Sequence, residues 1–188
     1  FPYAGWTVDM ELFAEVNEII ATSRGASQRR EKRIDSVIMS YYTTKEIKNI
    51  KRGWRNSDLE PHIKKILGQV IEAHLRGEYA LTITCLATMW EGLIHKKANV
   101  VGRQGSKKTK EDFGKLLNEN DFEPIFGEYY DKLIMSQCDT PEEVIEGVPN
   151  RNGISHSKYK RYPNKKASLN AILLTDFIIG LDPLPIEE

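Results

Sequence analysis

Cysteine is scarce: Cys85 and Cys138 are the only two in 188 residues, and they form neither a CxxC pair nor a cluster with histidine. That argues against a disulfide-stapled scaffold and against a zinc site, so no metal is expected, and a reducing, cytoplasmic setting fits best. Long apolar runs are missing too. None approaches the roughly 20 residues that a bilayer crossing needs, so a soluble chain is expected. No stretch combines strict alternation with β-branched enrichment, which leaves no candidate sheet. Net charge is also lacking, since 27 Lys and Arg balance 27 Asp and Glu. Any nucleic-acid binding must therefore come from a local patch and not from the overall field. The chain opens on Phe1 and not on Met, so its true start, with any short address signal, is expected to lie upstream.

What is present reads at helical period. An all-α bundle is expected, with residues 1–58 as an N-terminal helical extension packed on a bundle of residues 59–188. A first helix is predicted from about Val8 to Ala21, with Val8, Leu12, Phe13, Val16 and Ile20 on one stripe, and a second from about Gln28 to Tyr42. The stretch from Thr43 to Asp58, polar and basic around Trp54, reads as a connector with room for a short helix. The clearest element is Pro61 to Arg76, where Ile63, Ile66, Leu67, Val70, Ile71 and Leu75 recur at three- and four-residue steps and Gly77 supplies the stop. From Glu78 to Asn99 a second stripe (Tyr79, Ile83, Leu86, Ala87, Trp90, Leu93, Ile94) predicts its partner in a long antiparallel hairpin turning at Gly77. Val101–Lys110 has two glycines, four basic residues and no acid, and is expected to be an exposed loop. Shorter helices are predicted at about Glu111–Asn118 and Glu123–Met135, and a capping box, Thr140-Pro141-Glu142-Glu143, should start another. The last helix is expected from about Lys165 to Ile179, with Leu169, Ile172, Leu173 and Phe177 inward.

Between Gly147 and that last helix lies GVPNRNGISHSKYKRYPNKK. Cleaving RNA through its own 2′-OH needs a base for that proton, an acid for the leaving 5′ oxygen and positive charge on the phosphate. His156 suits either proton role, because an unperturbed imidazole titrates near 6.5. Arg151 offers a permanently charged planar fork for two phosphate oxygens, and Asn152 can orient either group. On a regular helix Asn152 and His156 share a face, whereas Arg151 points about 140° from His156. Either the first turn is irregular, which Gly153 permits, or the site draws residues from two chains. Asn150, after Pro149, is the expected N-cap. From Gly147 to Thr175 the cations Arg151, Lys158, Lys160, Arg161, Lys165 and Lys166 meet no acid, and Tyr159 and Tyr162 are interleaved for stacking on bases. Lys158, Tyr159, Lys160, Arg161, Lys165 and Lys166 are the candidate RNA-binding residues.

Plainer readings stand beside these. An Arg-to-His spacing is a weak signal by itself, and Arg55-Asn56 with His62 satisfies a six-residue version; there Asp58 and Glu60 would repel phosphate. His156 could be an ordinary surface histidine, and the Lys/Arg run a solvated loop. Trp90 and Tyr79 read as core. Glu91 is either a partner for a cation such as Arg151 or a solvent-facing carboxylate, and His74 and His95 carry no assigned role.

The RNGISH segment, late in a helical chain and ahead of an apolar final helix, resembles the R-x4-to-6-H signature of HEPN-superfamily ribonucleases, often RNxxxH. VPNRNGISH followed by Lys and Tyr is similar to HEPN-type domains of bacterial defence and abortive-infection proteins. The resemblance covers Leu59 to Leu181 and leaves the first 58 residues unexplained. It implies a metal-independent, cofactor-free RNA endonuclease, acting in anti-phage defence or as a toxin, with Arg151, Asn152 and His156 catalytic. It also implies a homodimer with a composite active site, and an inhibitory or activating partner that restrains it. Two alternatives remain: a catalytically silent HEPN-type module that binds RNA, a nucleotide or a partner, and a helical interaction domain whose basic loops meet an acidic surface.

Overall fold

The computed structural model describes residues 10–22, 27–102, 105–122, 125–158 and 164–186, which form helices and connecting turns with no strand among them. In chain order the elements are α1 (Met10–Thr22), α2 (Ser27–Tyr41), α3 (Thr44–Asn56), α4 (Pro61–Leu75), α5 (Tyr79–Lys97), α6 (Ser106–Glu119), α7 (Ile125–Tyr129), α8 (Arg151–Ser155) and α9 (Lys165–Gly180). A π-helical turn, Tyr130–Ile134, continues α7, and a single 3₁₀ turn covers Pro141–Glu143.

The α4–α5 hairpin forms where the apolar periodicity placed it. Gly77 ends α4 at a φ of +82°, a left-handed conformation that costs glycine little. Its N–H donates to the His74 carbonyl at 3.0 Å and the Glu78 N–H to that of Ala73 at 2.9 Å, the paired closure of a Schellman turn. The chain then reverses. Lys96, near the end of α5, reaches Glu60 just before α4 at 2.8 Å, so the two helices run antiparallel along their length. Leu67, Ile71, Ile83, Leu86, Trp90 and Ile94 from this pair are completely or almost completely buried.

α9 packs against α5 most extensively and against α4 and α3 as well. It is buried on nearly every side, so its polar residues must find partners inside. Ser168 meets His74 Nδ1 of α4 at 2.7 Å, and Thr175 accepts from the Trp90 indole of α5 at 2.9 Å. Asp176 accepts from the Trp54 indole of α3 at 2.8 Å, and Asn170 donates to the Gly147 carbonyl at 3.2 Å. Each of these bonds goes to a different part of the chain. Burial, with Lys165 nearby, lowers the His74 pKa from its usual 6.5 to about 4, so the ring is neutral in its contact with Ser168.

Several expectations are corrected. α1 turns Leu12, Val16 and Ile19 inward, leaving Phe13 and Ile20 exposed; Val8 lies outside the described residues. The supposed connector is mostly helix, α3, anchored by buried Ile47 and Trp54. The basic stretch before Glu111 joins α6, because Thr109 and Asp112 are buried along with Phe113, Leu116 and Leu117. The capping box yields only the 3₁₀ turn: Glu143 reaches back to the Asp139 N–H at 2.9 Å, while the Thr140 side chain caps nothing. No described helix is long and apolar enough to cross a membrane.

Candidate functional site

The RNGISH segment starts one short helix, α8, five residues long. Asn150 fixes it. The side-chain oxygen of Asn150 accepts from the Gly153 N–H at 2.6 Å, as an N-cap should. Its amide donates to the Leu133 carbonyl at 2.7 Å and to the Ser136 hydroxyl at 2.8 Å, and the Cys138 thiol donates to its oxygen at 3.3 Å. Asn152 adds a second tie, its amide donating to the carbonyls of Met135 and Ser136 at 3.1 and 3.0 Å. The start of α8 is thereby fastened to the end of the π-helical turn.

Arg151 points the other way, to α5. Its guanidinium donates to Glu91 Oε2 at 3.1 Å, with each side chain about one quarter exposed. The cation partner considered for Glu91 is therefore Arg151 itself. The pair borders an open pocket of about 640 Å³ whose other walls are Thr88, Gly92, His95, Gly105 and Ser106. His95 lies one turn beyond Glu91 on α5, and its Nε2 meets the Thr109 hydroxyl of α6 at 2.9 Å. Buried Tyr130 is close enough for the Glu91 carboxylate to reinforce the effect of burial in holding its phenol well above its ordinary pKa, and its hydroxyl has no hydrogen-bond partner among the described residues.

His156 caps the far end of α8, exposed, with its backbone N–H bonded to Asn152 and the following Ser157 at a φ of +55°. It does not line the Arg151 pocket. Among the described residues, then, the pocket that Arg151 borders is not shared by His156. The irregular-helix alternative is set aside, since Arg151 to Ser155 is ordinary α-helix. The Asn152 amide N–H groups are directed at the backbone carbonyls of Met135 and Ser136.

The cationic segment is less bare in space than in sequence. Lys166 pairs with Asp35 of α2 at 2.5 Å, as Arg151 does with Glu91, so acids from distant elements neutralise two of its charges. Lys165 is exposed and Lys158 half-buried; Tyr159, Lys160 and Arg161 lie outside the described residues, as does Tyr162. Of the decoy set, Arg55 lines a groove beside α4 that His62 does not line. No group of three or more His, Cys, Asp or Glu side chains able to hold a metal ion occurs among the described residues.

Sequence reasoning missed two residues here. The sequence marks Asn150 only as a cap, since its ties to residues 133–138 depend on contacts with no sequence signature. His95 had a signal, its four-residue step from Glu91, that nothing else in the sequence supported. The chain matches no family model, and neither a curated protein nor a solved structure matches it.

Proposed function

We propose that the protein is a metal-independent RNA endonuclease of HEPN type, working as a homodimer in anti-phage defence or as a toxin. The observation that carries this reading is the setting of α8. Arg151 is held by Glu91 at the rim of an open polar pocket, while His156 stands exposed at the other end of the same short helix. That separation suits a composite site, in which Arg151 of one copy and His156 of another act on one phosphate. The 2′-oxygen would attack the adjacent phosphorus as His156 takes its proton. The P–O5′ bond would then break, and a protonated histidine would supply the proton to the departing oxygen. The products would be a 2′,3′-cyclic phosphate and a 5′-hydroxyl. Arg151, with Lys158 and Lys165, would offset the phosphate charge.

The test is cleavage of labelled single-stranded RNA in excess EDTA, with DNA as the control substrate. Cutting confined to RNA should fall by about a hundredfold or more in His156→Ala and in Arg151→Ala, as loss of an acid–base group or a phosphate clamp predicts. Equal cutting by the variants, or intact RNA with wild-type protein, would remove the proposal. A second reading, a silent HEPN-type module that binds RNA or a partner, is favoured by one feature: Glu91 already neutralises Arg151 in the single chain. Salt-sensitive RNA binding without cleavage would select it.

A further inference from the structure

The neutral total charge conceals a segregated surface. α3 carries Lys45, Lys48, Lys51, Arg52 and Arg55 against one acid, Glu46. With Ile47 and Trp54 turned inward, Lys45, Lys48, Arg52 and Arg55 are exposed and Lys51 is half-buried at the edge of that face. A groove of about 1090 Å³ runs between α3, α4 and the start of α5, lined by Lys51, Arg55, Lys64, Lys65 and Arg76, with Glu72 as the single acid. Lys51 pairs with Glu72 at 2.6 Å and Arg76 with Glu78 at 2.7 Å. Arg55, Lys64 and Lys65 have no ion-pair partner among the described residues. The groove is not uniformly polar: Leu81, 62% exposed, and Ile66, 36% exposed, lie in its wall.

The complement of this groove occurs elsewhere in the same chain. Residues 133–150 contain no Lys or Arg and carry Asp139, Glu142, Glu143 and Glu146, all exposed. Among these acids Ile145, which lines a shallow pocket with Ile20 and Ile34, is a large apolar side chain still 53% exposed in the single chain. None of these residues lines the groove of its own molecule. Two surfaces, each mixing exposed aliphatic side chains with charge of one sign and opposite to each other, are the pattern of an interface whose attraction is electrostatic and whose centre is apolar. A nucleic acid fits the groove less well, because no aromatic side chain lines it for base stacking.

We propose that the α3–α4–α5 groove receives the Asp139–Glu146 segment of a second copy of this chain, with Ile145 placed against Leu81 and Ile66 and the acids against Arg55, Lys64 and Lys65. The contact uses neither Arg151 nor His156 and stands whether or not the protein cuts RNA. Contacts of this kind can close reciprocally into a pair or continue from one copy to the next.

Sedimentation of the whole chain over a range of concentrations tests it through mass alone. Wild-type protein should associate reversibly at about 0.1 M salt, where charges are screened over about 10 Å, and dissociate toward about 1 M, where screening acts over about 3 Å. Lys64→Glu with Lys65→Glu, and separately Asp139→Lys with Glu146→Lys, should each weaken association by about tenfold or more. Mixing the two variants should restore it, because each then offers the other a matched groove and segment. That rescue also separates charge repulsion from misfolding. Wild-type protein that stays monomeric throughout, or association that neither reversal disturbs, would overturn the proposal. So would variants whose mixture fails to recombine while each keeps the wild-type circular dichroism. RNA binding lost in Lys64→Glu with Lys65→Glu, alongside a monomeric wild type, would assign the groove to a polyanion instead.

Discussion

At the scale of single residues, the structure distinguishes side chains that hold the candidate site from those free to act in it. Asn150 and Asn152 both lie in the motif region, and both bind backbone around residues 133–136. Arg151 is ion-paired at a pocket rim and His156 is exposed. His74 is another kind of case, a neutral histidine inside the bundle with a pKa of about 4. In the unfolded chain the same ring titrates near 6.5. Unfolding therefore takes up a proton between those values, so the contribution of His74 to stability is complete above about 6.5 and is lost as pH falls through about 4. Denaturant midpoints followed from pH 7 down to pH 4 should fall less steeply in His74→Gln than in wild type. Parallel curves would mean that protonation of His74 has no part in acid destabilisation.

At the scale of elements, the long hairpin and the last helix were legible because their apolar residues recur without competing signals. The misreadings have physical causes. α1 contains two overlapping helical stripes, and packing against α2 selects Leu12, Val16 and Ile19 over Phe13 and Ile20. In α3 the spacing of Ile47, Ile50 and Trp54 was there to be read, but five cations masked it. The candidate site was legible as a motif and an N-cap. Its wiring to Glu91 and to residues 133–138 was not, because those contacts join segments far apart in sequence. α9 shows how much an element can hide: its sequence advertises an apolar helix, while its few polar residues bond to α3, α4, α5 and Gly147. Thr175→Val keeps the volume but leaves the buried Trp90 indole N–H without its acceptor. The expected loss is about 1–3 kcal/mol in chemical unfolding; a change within a few tenths would show that the indole finds another acceptor.

At the scale of the whole molecule, packing is uneven. α5 and α9 share the most extensive interface, whereas the N-terminal α1 packs chiefly on α2, which is linked to the remainder through Ile34, Ile38 and the Asp35–Lys166 ion pair. Amide exchange should accordingly lose protection in the α1–α2 pair before α5 and α9, since locally opening units are those with the fewest buried contacts to the rest. Exchange at one common rate across all four helices would show a single cooperative unit that includes α1 and α2. Lys166 lies at that joint, so opening the α1–α2 pair would also uncover a cation of the candidate RNA-binding segment.

The polar partners of α9 have a consequence of their own. A helix greasy on every side gains about as much from burial at one rotation about its axis as at another, and a shift of one residue turns it by about 100°. Ser168, Asn170, Thr175 and Asp176 remove that ambiguity, because each has its partner at a single setting. An α9 with those four made aliphatic would remain inside the bundle, but its facing would rest on side-chain shape and on the Lys166–Asp35 pair near one end.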